Sequence, residues 1–390
     1  MSEAVSDELS VEKLGCRLAV AIDEAFIAAG WPSGEVYGSE AALCSRYGVS
    51  RRIYREAVRV LTMRGTARLR RGSSGLVITS PDPEIVADML RGYAYLVGVT
   101  EEQRRQAQDF IGLLRSRLAQ KPCEGSRDVA LDFLSHFIDS QLHPGMPPEG
   151  AIKEKFRKSR AGQIALRILE QQISSAFTPG MRIGSEEQLS REYCADRSIT
   201  RQAIRLLESS GLISSVPGRG KGLFATHPPS GPICRLLCCY FAAHKLSVSS
   251  AFDLFEAMSI ETMSLLSQSA DPNEIERLQV LMSGWSSEKP LRLGDMIAVE
   301  DGLLAGLRNP LIELMFRSMR GYVAPTIAQD DDDIVPGEVA TCFADYTRQL
   351  LTALKLGDMT SAVESQRRKL ARIRELEVYY HPDLSRRLQS

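Results

Sequence analysis

The sequence contains one passage twice. Residues 34–72 and 180–218 align without a gap, each residue 146 positions from its counterpart. Identities fall at Gly38/Gly184, Ser39/Ser185, Glu40/Glu186, Leu43/Leu189, Tyr47/Tyr193, Arg51/Arg197, Arg55/Arg201, Ala57/Ala203, Leu61/Leu207 and Gly65/Gly211. A repeated segment must be a structural unit that can stand in two places. This excludes any fold in which the passage is a unique piece of a single core.

Each copy reads as two helices, a tight turn between them and a hairpin after them. Ser39 and Ser185 follow a glycine and precede a helical pattern, so both read as N-caps. Ser185 to Gln188 also fits a capping box. Ala42, Leu43 and Tyr47 form the apolar face of the first helix. The turn lies at Gly48-Val49 or Cys194-Ala195, and Ser50 or Asp196 then caps the second helix. Ala57, Val58 and Leu61, with Ala203, Ile204 and Leu207 in the second copy, turn inward at helical spacing. Arg51, Arg52, Tyr54 and Arg55, and likewise Arg197, Ser198, Thr200 and Arg201, are expected to point outward. Gly65 and Gly211 stop the helix. Two strand-like runs follow, separated by a basic, glycine-rich tip: Arg70, Arg71 and Gly72, or Arg219, Gly220 and Lys221.

Helix, turn, helix and basic wing is the layout of a winged helix-turn-helix, whose second helix enters the DNA major groove. Two arginines four apart at its N-terminal end suit both guanine edges and phosphates, because the guanidinium fork matches either. A merely solvated face would not be expected to keep that pair in two otherwise diverged copies. Net charge is only −1, but its distribution favours nucleic acid. Residues 34–80 carry +6 and residues 180–226 carry +2, whereas residues 232–390 carry −5. The first copy is therefore expected to grip phosphate harder than the second.

Other classes fall away. No apolar run approaches the length of a membrane span, and the acidic start is not a signal peptide, so the cytoplasm is the expected location. Eight cysteines in 390 residues make no disulfide framework. Cys234, Cys238 and Cys239 read as small buried hydrophobes. There is no nucleophile–base constellation, phosphate loop or metal cluster, so the chain is not expected to be an enzyme or to carry a cofactor. The glycines near 72 and 218 sit in wings, not between a strand and a helix as a nucleotide loop requires.

These residues resemble the GntR family of bacterial regulators. Gly38-Ser-Glu, Gly48-Val-Ser-Arg51, Arg55-Glu-Ala-Val58, Gly65 and Gly72 carry the resemblance in the first copy. Gly184-Ser-Glu, Arg197, Arg201-Gln-Ala-Ile204, Gly211 and Gly218-Arg-Gly220 carry it in the second. The resemblance implies DNA contacts at Arg51, Arg52, Arg55 and Gly72, and at Arg197, Ser198, Arg201, Arg219 and Gly220. The family's arginine after Ser-Glu is Ala41 here and Glu187 in the second copy, so one usual contact is missing twice.

Beyond the second linker, helical periodicity runs to the end of the chain. Arg308-Asn-Pro-Leu-Ile, Tyr346 through Leu354-Lys-Leu-Gly-Asp358 and Ala362 to Leu370 resemble the FCD-type ligand-binding domain of the FadR-like subgroup. Many such domains hold a metal with one aspartate and three histidines. The corresponding positions here are Met296, Glu300, Thr347 and Lys369, so the resemblance implies a metal-free bundle, with Glu300, Thr347 and Lys369 as candidate effector-pocket residues. Residues 82–157 hold only about half of such a domain and cannot enclose a cavity alone.

The expected fold is mainly α. It comprises two winged helix-turn-helix domains at 1–81 and 158–228, a truncated helical half-domain at 82–157 and an all-α bundle at 229–390. The expected function is sequence-specific transcription regulation by two readers in one chain. Expected partners are double-stranded DNA, a small organic-acid-like effector and a second copy of the chain, with no membrane. The rival reading is an interaction or structural protein in which one or both modules have lost DNA reading.

Overall fold

The computed structural model describes residues 2–70, 75–119, 126–143, 160–174, 180–209, 213–216, 222–226, 229–269, 271–285, 290–323 and 334–380. The first module is built from α1 (Ser2–Ala28), β1 (Val36–Ser39), α2 (Glu40–Tyr47), α3 (Arg51–Arg64), β2 (Ala67–Leu69) and β3 (Gly75–Ile78). Three helices follow: α4 (Pro83–Leu96), α5 (Glu101–Leu118) and α6 (Ser126–His136), the last running into a π-helical turn at Phe137–Gln141. The second module repeats the first in order: α7 (Arg160–Ser174), β4 (Arg182–Gly184), α8 (Glu186–Glu192), α9 (Arg197–Ser209), β5 (Ile213–Val216) and β6 (Gly222–Ala225). Then come α10 (Gly231–Ala243), α11 (Val248–Ser269), α12 (Pro272–Ser283), α13 (Leu293–Ala305), α14 (Pro310–Val323), α15 (Gly337–Lys355) and α16 (Met359–Tyr380).

The repeat in sequence is a repeat in structure. The sheets are ordered β1-β3-β2 and β4-β6-β5. Each pairs its first strand with an irregularity at the same aligned place, between Val36 and Gly38 or Arg182 and Gly184. The helix that opens each module carries the same buried stripe, Leu18, Ala19 and Ile22 in α1 and Ile164, Ala165 and Ile168 in α7. It packs on the inward face of the later helix, Ala57, Val58 and Leu61 in α3 or Ala203, Ile204 and Leu207 in α9. The caps form as the sequence requires. Ser39 Oγ accepts from the Ala42 amide at 3.2 Å, and Ser50 Oγ from Ile53 at 3.4 Å. Ser185 and Gln188 complete the reciprocal capping box at 3.2 and 2.8 Å.

The turn between the paired helices needs a left-handed residue. Gly48 supplies it at φ 62°, and the aligned Cys194 is forced to φ 47°. A side chain there costs about 1–2 kcal/mol, partly offset by the greater freedom glycine loses on folding. Cys194→Gly should therefore stabilise the second module by up to about 1 kcal/mol, read as a rise in its urea midpoint with unchanged slope.

The chain divides into two compact units. Unit 1 holds residues 1–101 and 141–243, and unit 2 holds 102–140 and 244–390. This corrects the expected boundaries. Residues 82–157 are not a body of their own: α4 belongs with the modules, while α6 and nearly all of α5 complete the C-terminal bundle. The second boundary also lies later than 228. Helix α10 is buried nearly all round, with Ile233, Leu236, Leu237, Cys239, Tyr240 and Phe241 covered, so it cannot stand on a bundle's outer face. Within unit 1 it packs against α4 and α1.

Helices α4 and α10 are themselves repeat partners, now 147 positions apart because the second hairpin is one residue longer. Tyr93 and Tyr240 share a place, as do Val99 and Leu246. Their packing crosses over. Arg235 of α10, after the second module, bonds Glu24 of α1 in the first at 2.8 Å. Leu96 of α4, after the first module, packs into the core of the second with Ile164, Ile168 and Leu207.

A buried ion pair pins the end of α3 to α1: Arg64 Nη1 donates to Asp23 Oδ2 at 2.8 Å, with Asp23 fully covered. Burial raises the Asp23 carboxyl above its ordinary value, and the Arg64 guanidinium only partly opposes this. Burial also pushes the Cys238 thiol up to about 12 and Cys239 well above its usual value. These are packed hydrophobes, held as poorly reactive thiols.

Unit 2 is a helical bundle around Met263, Leu266, Leu278, Val299, Phe343, Leu350 and Leu351. Helix α5 is clasped to it by Asn309. The buried amide of Asn309 donates to Gln103 O at 2.9 Å and Gln106 Oε1 at 3.2 Å, while its oxygen caps Leu311 and Ile312. Arg117 adds a 2.5 Å contact to Glu261. A half-set of helices leaves an apolar face open, and here the bundle closes it. Among the described residues no helix is long and apolar enough to cross a membrane.

Candidate nucleic-acid interface

The first turns of α3 and α9 project the predicted arginines. Arg51, Arg52 and Arg55 are exposed on α3, as are Arg197, Ser198 and Arg201 on α9. The N-terminus of a helix carries partial positive charge, so the first turns that bear these guanidinia are a natural seat for phosphate. Ser39 and Ser185 use their hydroxyl oxygens as caps, which leaves each O–H to donate outward. Arg70 is exposed at the end of β2. Arg71, Gly72, Arg219, Gly220 and Lys221 lie outside the described residues.

Two predicted contacts face the other way. Tyr54 is 1% exposed and Thr200 is fully buried. The reason is spacing: residue 54 with 57, 58 and 61 makes the i, i+3, i+4, i+7 stripe of a helix facing its core. Thr200 holds the aligned place, where its Oγ1 accepts from Ser190 Oγ at 3.0 Å and donates to Asp196 O at 3.1 Å. Neither side chain is on the exposed face that bears the arginines.

Sequence reasoning missed the acids beside the arginines. Arg55 Nε lies 3.3 Å from Glu40. Its aligned partner Arg201 is held by both oxygens of Glu186, at 3.2 and 2.8 Å. The signal was available, since Glu40/Glu186 is one of the identities of the repeat. In the second module Arg197 is also paired, to Glu187 at 2.6 Å. The aligned residue of the first module is Ala41, and Arg51 has no ion pair among the described residues. Near the same surface, Tyr37 and Tyr47 share a 2.6 Å hydroxyl contact, and Arg46 stacks over the Tyr37 ring at 5.0 Å.

The candidate effector residues lie in unit 2. Thr347 and Lys369 are both buried and are brought together, Nζ to Oγ1 at 3.5 Å, with the ammonium 4.7 Å from the centre of the Phe343 ring. Glu300 lies 3.6 Å from Arg320 rather than in a direct pair with the lysine, though its charge still favours the ammonium. Met296 packs against the core. A cleft bordered by Thr341, Asp345, Tyr346, Arg368 and Arg372 runs along α15 and α16; Thr347 and Lys369 are not among its walls.

Burial lowers the Lys369 pKa. Between that lowered value and about 10.4 the unfolded chain holds a proton that the folded one does not, so this lysine makes stability rise with pH. Lys369→Met should stabilise unit 2 by about 1–3 kcal/mol near neutrality. The gap to the parent should close as pH rises through that window, as followed by denaturant titration.

Residues 160–222 match the family described as bacterial regulatory proteins, gntR family. The matched segment runs from the start of α7 to the first residue of β6. No curated protein matches the chain. Among solved structures, Streptococcus agalactiae GntR is similar at 14% identity and TM-score 0.36, over 56% of this chain and 98% of that one. E. coli McbR/YncC is similar at 17% identity and TM-score 0.25, over 57% and 98%. A third is Lar, described as controlling expression of the Listeria monocytogenes agr system and mediating virulence. It is similar at 14% identity and TM-score 0.24, over 57% and 97%.

Proposed function

We propose, from the gntR-type segment in the second module, that this chain is a transcription regulator reading DNA with both of its modules. The observation that supports this most is the recurrence of an exposed arginine pair, Arg51/Arg55 and Arg197/Arg201, on the first turns of the same helix in two copies of one fold. Each pair can serve a guanine edge or a phosphate, with Arg52, Ser198, Ser39, Ser185 and Arg70 beside it. The wing residues Arg71, Gly72, Arg219, Gly220 and Lys221 complete the proposed surface. A reader of bacterial DNA works in the cytoplasm.

Two readers on one chain act at high mutual effective concentration, so each half-site can be weak while the whole remains specific. The readers differ at Arg52 and Ser198, which gives an asymmetric operator. A homodimer would present four readers and take a doubled site. Unit 2 is the proposed effector domain, with a small organic acid as its ligand and no metal. Buried Lys369 and Thr347 supply a cation and a hydroxyl suited to a carboxylate, and Glu300 tunes the lysine.

Selection of bound fragments from genomic DNA, followed by footprinting, tests the reading. An asymmetric protected site is expected, and Arg52→Ser alone should change base preference in one half only. A short perfect palindrome, protected even when the second module's arginines are removed, would reduce that module to a scaffold.

A further inference from the structure

We infer that Glu187 masks the second reader, setting its DNA affinity below that of the first. The inference rests on the proposed DNA reading and assigns to one side chain a defined part of the difference between the two modules. Three observations carry it. First, Glu187 Oε1 lies 2.6 Å from Arg197 Nη2, and the side chains are 65% and 68% exposed, so the pair sits on the surface where phosphate would approach. Second, Arg201 beside it is already held by Glu186. The two reader arginines of this module therefore face two carboxylates, and their local charges cancel. Third, the first module has the same Glu–Arg pair, Glu40 with Arg55, but carries Ala41 where the second has Glu187. Position 41/187 is, with 52/198, a point at which the two proposed reading surfaces differ in charge while their backbones repeat.

The mask works by competition and by repulsion. Arg197 must leave a carboxylate to meet a phosphate, and the released carboxylate then stands close to that phosphate. An exposed ion pair is weak, so the mask attenuates binding without abolishing it. Its larger signature is in salt dependence. A module with one fewer phosphate contact releases fewer counterions, which makes the slope of log K against log[salt] shallower by roughly 0.9. The second reader then engages only where the first has already docked, at high effective concentration.

The test uses the full chain and a fluorescently labelled mixed-sequence DNA duplex, titrated by anisotropy at several salt concentrations. Glu187→Ala and Glu187→Gln should each tighten binding by about two- to fivefold, the range an exposed ion pair spans. Each should steepen the salt slope by roughly 0.9. Ala41→Glu, which installs the same carboxylate beside Arg51, should weaken binding and make the slope shallower by similar amounts. In an Arg197→Ala background the gain from Glu187→Ala should shrink, because the competition has been removed. Unchanged affinity and slope in the Glu187 variants, or an undiminished gain without Arg197, overturns the mask while leaving DNA reading intact. A parent chain that does not bind the duplex even at low salt overturns the reading itself. Circular dichroism of each variant separates a lost fold from a lost mask.

Discussion

Arg51→Ala combined with Arg55→Ala is expected to reduce DNA affinity at least about thirtyfold. Each bidentate arginine–base contact is worth about 1–3 kcal/mol, and both residues lie on the first turn and a half of α3 with their side chains in solvent. The same double change in the second module, Arg197→Ala with Arg201→Ala, should cost less, because Glu186 and Glu187 already pair those guanidinia. Anisotropy against a selected genomic fragment measures both. Equal losses in the two modules would remove the ranking, and no loss in the first would remove α3 as a reading helix. Folding should not confound the result, since exposed substitutions away from cores usually shift stability by no more than about 0.5 kcal/mol.

The largest effect on stability should come from the pair Asp23–Arg64. Asp23 is fully covered and Arg64 nearly so. Removing one partner strands a buried charge, so Arg64→Met alone should cost about 3–5 kcal/mol. The double variant Asp23→Leu/Arg64→Met removes both charges and should recover most of that loss, since an apolar pair of similar volume is often at least as stable. Denaturant unfolding of the two singles and the double gives the coupling directly. If Arg64→Met is tolerated within about 0.5 kcal/mol, the pair does not fasten α3 to α1.

Much of the fold was legible because the sequence states it twice. Ser39, Ser50 and Ser185 cap as read, Gly48 and Gly65 take left-handed φ, and both hairpins form beside their helices. Two kinds of feature were not legible. One was the facing of Tyr54 and Thr200, where proximity to arginines suggested the outer surface although the helical period puts position 54 on the same stripe as Leu61. The other was the long-range division of the chain. Periodicity marks helical stretches on either side of the second module, but it cannot tell which core an apolar face will cover. Only packing shows α5 clasped by Asn309, and α10 laid on α1 and α4. At the proposed site, arginines drew attention by type and recurrence. The acids restraining them lie 10 to 15 residues earlier in the chain and meet them only through the turn between the paired helices.

The crossing of α4 and α10 makes each half of unit 1 a structural creditor of the other. Leu96 leaves the first module to finish the second's core, and Arg235 leaves the second to bind the first at Glu24. Neither module can then be lost, replaced or unfolded without exposing part of its twin. Mutations at the exposed positions proposed for reading, Arg52, Ser198, Ala41 or Glu187, remain free to accumulate separately. Those that touch the exchanged helices must be answered across the repeat. Such a chain is set to diverge on its two exposed helix faces while its two scaffolds age together.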